Sequence, residues 1–283
     1  MSHRPNVIYI FADDMGYGDL SCLNENAAFK TPHLDRLASG GMRCTDAHSS
    51  SSVCTPSRYS VLTGRYNWRS RMKKGVAGGY SPPVLESDRL TVADMLKDRG
   101  YRTACVGKWH LGLNWRLKDG TTASTYADED QVDFTAPVTG GPIDHGFDHY
   151  FGISASLDMP PYVYIEDDRV PNPPTGRIEK QEDPAFMRAG AIADDFAAED
   201  VLPRLTDKVE GLVDDYAAGD DPFFIYFPLP APHTPIVPTP EFQGKSGTNV
   251  YGDFCLQVDD TVGRVMDALD RHDLTDDTIV IFT

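Results

Sequence analysis

The chain has 283 residues, of which 40% are hydrophobic and 24% are charged, a composition typical of a globular domain with a sizeable apolar core. The formal net charge of −17 excludes nucleic acids and anionic membranes as expected partners, because like charges repel at long range. Five cysteines at irregular spacings, without a CxxC pair, exclude a disulfide framework and a zinc site.

Targeting segments are not evident in the sequence. No apolar run approaches the length of a membrane-spanning helix, so we expect no membrane span. The first five residues, MSHRP, lead into only a short apolar run and lack the apolar core and cleavage site of a secretory signal. The sequence as written predicts a cytoplasmic protein, and it predicts a periplasmic or secreted one if a leader has been removed.

Short apolar runs alternate with amphipathic patterns along the chain, which predicts an α/β fold with a mostly parallel central sheet flanked by helices. The strands are predicted at residues 6–12, 101–106, 150–152, 223–227 and 278–282. The helices are predicted at residues 32–39, from Cys54 onward, and at 91–99 and 252–271. The stretches 114–145 and 158–190 are rich in Gly, Pro, Asp and Thr, and they predict long loops that build a binding surface or move.

Two adjacent carboxylates, Asp13 and Asp14, follow the first predicted strand directly. Ligands of open α/β sheets bind beyond the carboxyl ends of the strands, so this position favours a functional site. Neighbouring carboxylates repel each other, and a hard divalent cation such as Ca²⁺ or Mg²⁺ would relieve that repulsion. A solvated turn with a capping aspartate is the equally weighted alternative at this stage.

A second polar cluster is the segment Cys54-Thr55-Pro56-Ser57-Arg58. Pro56 suits the first turn of a helix, which leaves Cys54 at the N-terminal mouth, where free N–H groups and the helix dipole favour an anion. Arg58, one turn later, can point back at the same place. A buried cysteine before an ordinary helix is the alternative.

This segment, with Leu62-Thr63-Gly64-Arg65 after it, resembles the signature of type I sulfatases. A chance match to its four fixed positions is on the order of one in a thousand. The segments GKWHLG at 107–112 and APHTP at 231–235 resemble further parts of this family's active site, and TPHLDRLA at 31–38 resembles its first helix, with His33 where Asn is more usual. The resemblance spans essentially the whole chain and implies the alkaline-phosphatase-like fold.

The resemblance implies a set of site residues and cofactors. Cys54 would be converted by a formylglycine-generating maturation enzyme to Cα-formylglycine, whose hydrate attacks sulfur. Asp13, Asp14 and residue 54 would bind a calcium ion, with magnesium as the alternative. The implied catalytic residues are Cys54, Arg58, Lys108, His110 and His233.

Two of these residues also follow from local pattern. Lys108 and His110 are two positions apart on a segment predicted to be extended, so their side chains are expected on one side. The resemblance makes His110 the base that releases sulfate, and His233 the group that helps to protonate the leaving alcohol. Both Lys108 and His233 are expected to touch the substrate.

The substrate itself is expected to be a small-molecule or glycan sulfate ester, with a sulfated carbohydrate favoured at the level of the family. Asp158 and Tyr162, after the predicted strand 150–152, are candidates to touch a sugar. An ordinary buried turn is an equally weighted interpretation of that segment.

The resemblance also carries one departure. In the family, an Asp-Asn pair and an active-site lysine follow the strand that matches residues 278–282, and this chain stops at Thr283. We therefore expect residues 1–283 to form an N-terminal catalytic domain that lacks the smaller C-terminal domain. The alternatives to a sulfatase are a phosphonate or phosphate monoester hydrolase of the same superfamily, or a non-catalytic fragment that only binds a cation or a glycan.

Overall fold

The computed structural model describes residues 4–283. Residues 1–3, which begin the segment expected to lack a secretory signal, lie outside the described residues. The strands are β1 (Asn6–Asp13), β2 (Arg102–Lys108), β3 (His149–Ile153), β4 (Ile165–Glu166), β5 (Gly176–Ile178), β6 (Gly190–Ile192), β7 (Phe223–Pro232) and β8 (Thr278–Phe282). The α-helices are α1 (Pro32–Ser39), α2 (Cys54–Thr63), α3 (Val92–Lys97), α4 (Ala198–Ala217) and α5 (Val250–Arg271). Short 3-10 turns lie at Tyr17–Asp19, Asn67–Arg69, Tyr126–Gln131, Pro142–His145 and Thr275–Asp277.

A six-stranded sheet in the order β4-β3-β2-β7-β1-β8 forms the centre of the molecule. All of its neighbouring pairs are parallel except β3 and β4. Strands β5 and β6 form a separate antiparallel pair. The mostly parallel sheet with flanking helices confirms the predicted fold class.

The strand order brings the carboxyl ends of β1, β2 and β7 together, because these three strands are parallel neighbours. The ladder between β1 and β7 is regular up to Phe11 and Pro228 and then shifts before Asp13 pairs with Pro232. Irregularities of this kind re-aim side chains and are common next to active sites. Asp13 therefore emerges at the edge of the sheet where Lys108 also ends its strand.

Strand β7 extends five residues beyond the predicted end, through the sequence Pro228-Leu229-Pro230-Ala231-Pro232. Proline cannot donate to a ladder and is unusual in a central strand, so the sequence favoured an end at Phe227. The structure accommodates these prolines because the described pairing of β7 with β2 ends at Tyr226. The extension carries the backbone to His233.

Helix α4 is absent from the sequence-based prediction, although it is 20 residues long. Pro203 lies inside it, and a proline in a helix interior removes a backbone donor and clashes with the preceding turn. The apolar spacing outweighs this penalty, since a stripe of side chains four residues apart is buried in the core: Val201, Leu205, Val209 and Val213.

Helices α4 and α5 pack against each other, and both contact β7. Helix α1 packs against α5, where the carboxylate of Asp259 accepts from the backbone N–H of Leu34 at 2.8 Å. This contact satisfies a free donor at the start of α1. Between residues 4 and 283, no helix combines the length and the apolar character that crossing a membrane requires.

Candidate active site

Helix α2 begins at Cys54, as the sequence predicts, and its N-terminus lies against the carboxyl ends of β1 and β2. Val53 caps the helix in an extended conformation, and Gly64 ends it with a φ of 64°, in the left-handed region that glycine tolerates. The Sγ atom of Cys54 lies 3.3 Å from Asp13 Oδ1 and 3.5 Å from Lys108 Nζ. Burial raises the pKa of the Cys54 thiol above its ordinary value.

Asp13 is the anionic centre of the cluster. Its Oδ2 atom accepts from Arg58 Nη2 at 2.8 Å and from Lys108 Nζ in a shorter contact. Burial alone would raise the pKa of this carboxyl, but Lys108 and Arg58 outweigh burial and hold the pKa well below its usual range. All three side chains are at most 5% exposed, so two cations surround one anion out of contact with bulk water.

Arg58 is fixed by more than its ion pair. Its Nη1 atom donates to the carbonyl of Lys108 at 2.6 Å, and Nη2 donates to the carbonyl of Leu229 at 3.1 Å. The guanidinium therefore links β2 to β7 and holds its planar fork in one orientation. The Nε atom of Arg58 has no hydrogen-bond partner within the described part of the chain.

His110 is buried two residues beyond β2. It is not extended as predicted, because its φ is 55°. Its Nε2 atom lies 2.7 Å from the carbonyl oxygen of Ala77, which can only accept, so Nε2 carries the hydrogen. Burial, with Lys108 and Arg58 nearby, lowers the pKa of His110 well below its ordinary value. The ring is therefore neutral, and its Nδ1 lone pair has no partner among residues 4–283.

A threonine fixes the backbone around His110 to helix α2. The hydroxyl of Thr55 donates to the carbonyl of His110 at 2.8 Å and accepts from the backbone N–H of Ala77 at 3.1 Å. The residue next to Cys54 thus aligns both the histidine and the carbonyl that sets its tautomer. Its hydroxyl is buried, so these contacts are shielded from competing water.

His233 follows β7 at the same edge of the sheet. Its Nδ1 atom donates to the carbonyl of Thr234 at 2.6 Å, and its Nε2 atom lies 3.6 Å from Asp14 Oδ2. Burial and then the Lys108 cation lower the pKa of His233. The imidazole is mostly buried, whereas the Asp14 side chain is 59% exposed, so this pair forms the border of the cluster toward solvent.

The ligand atoms of Asp13, Cys54 and His233 lie within 4.8 Å of one another. Asp14 joins this group only through its contact with His233. The carboxylates suit a hard cation, which prefers oxygen ligands, whereas a thiol does not. The Sγ atom of Cys54 stands where an oxygen of a modified residue 54 would lie, and Asp13 Oδ1, which faces it, is the carboxylate oxygen that neither Arg58 nor Lys108 occupies.

Ser156 is a site residue that the sequence-based prediction did not assign. Its hydroxyl lies 3.1 Å from Lys108 Nζ and 3.3 Å from His233 Nδ1, so it connects the two. Its position could have indicated this role, because Ser156 lies three residues after β3, at the carboxyl edge of the sheet where Lys108 also lies. The roles of the backbone carbonyls of Ala77 and Leu229 could not be predicted from residue types, and they are visible only in the folded structure.

Tyr162, a candidate to touch a sugar, does not lie at the surface of the structure. Its ring is 1% exposed in the core, and its hydroxyl donates to the carbonyls of Asp158 and Arg188. Asp158 is also buried, and its carboxylate is paired with the half-exposed guanidinium of Arg188. The buried turn, which the sequence left open as the alternative, is what the structure has.

A cavity of about 390 Å³ lies away from this cluster, at the amino-terminal edge of the sheet, with Arg4, Asn6 and Phe223 in its lining. None of its lining residues belongs to the cluster. Volume alone therefore does not identify the site, and the convergence of charged side chains at the carboxyl edge does.

Known proteins resemble this chain over its full length. A family model described as Sulfatase matches residues 5–283. An N-acetylgalactosamine-6-O-sulfatase of Bacteroides thetaiotaomicron is 38% identical over 316 residues, covering 100% of this chain and 58% of the relative. Arylsulfatase A of Homo sapiens is 34% identical over 287 residues, covering 100% of this chain and 52% of the relative. The chain thus spans little more than half the length of these two relatives.

A solved structure gives the same result in three dimensions. It comes from work on the metabolism of multiple glycosaminoglycans by Bacteroides thetaiotaomicron, and it superimposes with a TM-score of 0.84 at 36% identity. The alignment covers 99% of this chain and 62% of that one. The fold and the sequence therefore point to one family.

Proposed function

The chain belongs to the sulfatase family, and we propose that the protein hydrolyses sulfate monoesters at the cluster around Cys54. One observation carries the proposal: residue 54, at the N-terminus of α2, lies within 3.5 Å of both the buried Asp13 carboxylate and the buried Lys108 ammonium. A sulfuryl group placed there would meet a helix N-terminus and two cations.

We propose that Cys54 is converted to Cα-formylglycine by a maturation enzyme. A thiol that attacked sulfur would leave an adduct with no easy exit. The hydrated aldehyde supplies one hydroxyl as the nucleophile and a second hydroxyl whose deprotonation releases sulfate. The side chain at this position is held by the helix start and by the contact with Asp13, so it enters the reaction already oriented.

Arg58 and Lys108 stabilise the charge that develops on the sulfuryl oxygens. Both are held by fixed partners, Arg58 by two backbone carbonyls and Lys108 by Asp13 and Ser156. Groups fixed in advance need no reorganisation when the transition state forms, which is the main source of electrostatic catalysis. A bound divalent cation, which we propose is calcium at Asp13, Asp14 and residue 54, would add Lewis-acid charge stabilisation at this position.

The two histidines divide the proton transfers. His110 is neutral, and its Nδ1 lone pair is free because Nε2–H is committed to Ala77, so His110 is suited to take a proton. His233 keeps Nδ1–H on Thr234, and a proton on its Nε2 would lie beside the Asp14 carboxylate. His233 is therefore suited to give a proton to the leaving alcohol.

We propose a sulfated carbohydrate as the substrate. Support comes from the relative named N-acetylgalactosamine-6-O-sulfatase and from the solved structure connected with glycosaminoglycan metabolism. The mostly buried His233 and the exposed Asp14 form the border of the cluster toward solvent, through which the alcohol part of the ester would extend. Lys108 lies deeper and would hold the sulfate.

Sulfate release from an aryl sulfate, compared with phosphate release from the matching aryl phosphate, tests the proposal directly. We expect the sulfate ester to be turned over at least about tenfold faster, and the Cys54→Ala variant to lose this activity. Faster turnover of the phosphate ester would favour the phosphonate or phosphate monoester hydrolase instead. Binding of sulfated sugars without turnover of either ester would support a non-catalytic protein.

A further inference from the structure

We propose that a basic and aromatic surface next to the catalytic cluster binds a neighbouring part of an extended sulfated glycan. The surface consists of Tyr66, Trp68, Arg69, Lys73 and Lys74, and we call it the outer strip. This inference rests on the proposed function, because it names the substrate as a polyanionic oligosaccharide rather than a single sulfated sugar. It adds binding residues outside the cluster that holds the sulfate ester.

Charge distinguishes this segment from the rest of the chain. The protein has 43 acidic and 26 basic residues, yet no acidic residue lies between Asp46 and Glu86. The sequence RYNWRSRMKK at 65–74 places five of the cations in ten positions. Short runs rich in Lys and Arg are typical of surfaces that bind nucleic acids or heparin-like glycans.

These cations are not neutralised by neighbouring carboxylates. Arg65 is 3.6 Å from Glu86, but within residues 4–283 Arg69, Lys73 and Lys74 form no ion pair. Elsewhere in this acidic protein arginines and lysines commonly have a carboxylate partner, as Arg264 and Lys208 do. Unpaired like charges on one short segment repel, and a bound polyanion would relieve that repulsion.

The two aromatic side chains of the outer strip form an exposed stacked pair, which we call the platform. The rings of Tyr66 and Trp68 are stacked, with centroids 4.0 Å apart and an angle of 11° between their planes. They are 51% and 59% exposed, whereas the other two tryptophans, Trp109 and Trp115, are buried. An exposed aromatic face beside cations fits the apolar face of a sugar ring whose substituents are anionic.

The loop that carries the platform is held in place. The buried Asn67 side chain donates to the carbonyl of Met72 at 2.6 Å, and the ammonium of Lys73 donates to the carbonyl of Trp68. Arg71 donates to the carbonyl of Pro83 at 2.7 Å, which fixes the far side of the loop. The outer strip is therefore a formed surface rather than a set of independent side chains.

One end of the outer strip is close in sequence to a residue that contacts the catalytic cluster. Lys74 is three residues from Ala77, so their Cα atoms are at most about 11 Å apart. The backbone of Ala77 is hydrogen-bonded to Thr55, the neighbour of Cys54, and to the ring of His110. The other end, at Tyr66, lies past α2, whose ten residues span about 15 Å. A ligand that touches both the cluster and the platform must be longer than one sugar ring.

A sulfated glycan fits this arrangement better than a nucleic acid. Single-stranded nucleic acid is also anionic and also stacks on aromatic rings. It would however gain nothing from the adjoining cluster, where a sulfate ester has its own site. The glycan can occupy both at once, so the two parts of its binding reinforce each other.

The test measures glycan binding in the intact protein carrying Cys54→Ala, so that the ligand is not consumed. The probes are a sulfated tetrasaccharide built of uronic acid and N-acetylgalactosamine 6-O-sulfate, and the corresponding monosaccharide sulfate. We expect the tetrasaccharide to bind at least tenfold more tightly than the monosaccharide. Arg69→Gln with Lys74→Gln, which leaves the loop contact of Lys73 intact, should weaken tetrasaccharide binding about tenfold and reduce the slope of log Kd against log salt by about one per cation.

Trp68→Ala should weaken tetrasaccharide binding by about five- to tenfold without changing the salt slope, because stacking does not depend on counterions. Trp68→Phe should restore most of the affinity. Since Trp68 is the exposed tryptophan, the tetrasaccharide should also protect intrinsic fluorescence from an iodide quencher. Arg99→Gln, an exposed charge change just before the amino-terminal end of β2, is the matched control and should alter binding less than twofold.

Several outcomes would overturn the inference. If Arg69→Gln with Lys74→Gln binds the tetrasaccharide as tightly as Arg99→Gln does, the outer strip is not part of the binding site. Equal affinity for a single-stranded oligonucleotide, with the same dependence on Trp68 and Lys74, would show a general polyanion surface instead. Sulfate release by the unmutated protein is measured separately, so loss of the proposed activity and loss of the outer strip are distinguishable.

Discussion

Two groups of ion pairs in this molecule consist of the same residue types but differ in burial. The cluster of Asp13, Arg58 and Lys108 is almost fully buried at the carboxyl edge of the sheet. The second group lies on the outside of α4 and α5, where Arg264 is 2.6 Å from Asp207 and also contacts Glu210. Distance alone does not separate the two groups, but exposure does: the Asp207 side chain is 66% exposed and that of Asp13 only 5%.

The difference shows where the fold accepts an energetic cost. Exposed ion pairs contribute little to stability, because water already solvates both charges. Burying charges is costly and is rarely the most stable solution, even when they are paired. A buried cluster of two cations and one anion, beside a helix N-terminus, is therefore better explained by chemistry than by stability.

The largest effect is expected when residue 54 is changed. Cys54→Ala removes the group proposed to become the nucleophile, and we expect sulfate release to fall by at least about a thousandfold. Cys105→Ala is the matched control, since Cys105 is buried in β2 and outside the cluster. It should cost some stability but retain turnover. Near-normal turnover by Cys54→Ala would contradict the assignment of the buried cluster as the catalytic site.

Replacing one arginine in each group tests whether burial determines how much an ion pair affects stability. Arg58→Met should lower the free energy of unfolding by about 3 kcal/mol, because it breaks a buried pair and frees two buried carbonyls. Arg264→Met should lower it by less than about 1 kcal/mol. Urea unfolding of both variants measures the difference. Equal losses would mean that burial does not distinguish the two groups.

Calcium should stabilise the protein through the proposed site at Asp13, Asp14 and residue 54, and not through the outer ion pairs. A ligand present at about a hundred times its Kd adds about 2.7 kcal/mol to the free energy of unfolding. Asp14→Asn should reduce that gain, and we expect this variant to fold normally because the side chain of Asp14 is exposed. Asp267→Asn, on the outer face of α5, is the control and should keep the full gain. A calcium effect that is the same in both variants would place the ion elsewhere.

Acidification should destabilise the protein in part through His110. Because its folded pKa is lowered, the unfolded state binds a proton first as the pH falls below about 6.5, and stability is lost from there downward. The contribution is at most about 1.4 kcal/mol per pH unit. His110→Gln keeps a donor for Ala77 and should show a shallower decline between pH 7 and pH 5. Identical slopes would show that His110 is not held neutral by burial.

The parts of the fold that follow from local sequence were predictable. The strands β1, β2 and β8 and the start of α2 were predicted within two residues, because continuous apolar runs and Pro56 are local signals. Helix α4 was not predicted because Pro203 locally disfavours a helix, whereas burial of the apolar side chains of α4 in the folded protein stabilises one. The end of β7 was missed for the same kind of reason, since its prolines are tolerated only where the ladder loosens.

The site was predictable in its side chains but not in its geometry. The structure brings Asp13, Cys54, Arg58 and Lys108 together through direct contacts, and places His110 and His233 around them. The tautomer of His110 depends on the carbonyl of Ala77, 33 residues away, and the pattern of side chains in the sequence does not indicate this backbone contact. For Tyr162 the sequence left contact with a sugar and a buried turn equally weighted, because it does not show that β6 pairs with this segment.

Mass spectrometry of the peptide that contains residue 54, from a preparation shown to release sulfate, tests whether this residue is the proposed nucleophile. We expect formylglycine at residue 54, seen as replacement of the cysteine CH₂SH group by an aldehyde or its hydrate, while Cys105 in the same digest remains a cysteine. An unmodified cysteine at position 54 in fully active protein would contradict the proposed nucleophile and the mechanism built on it.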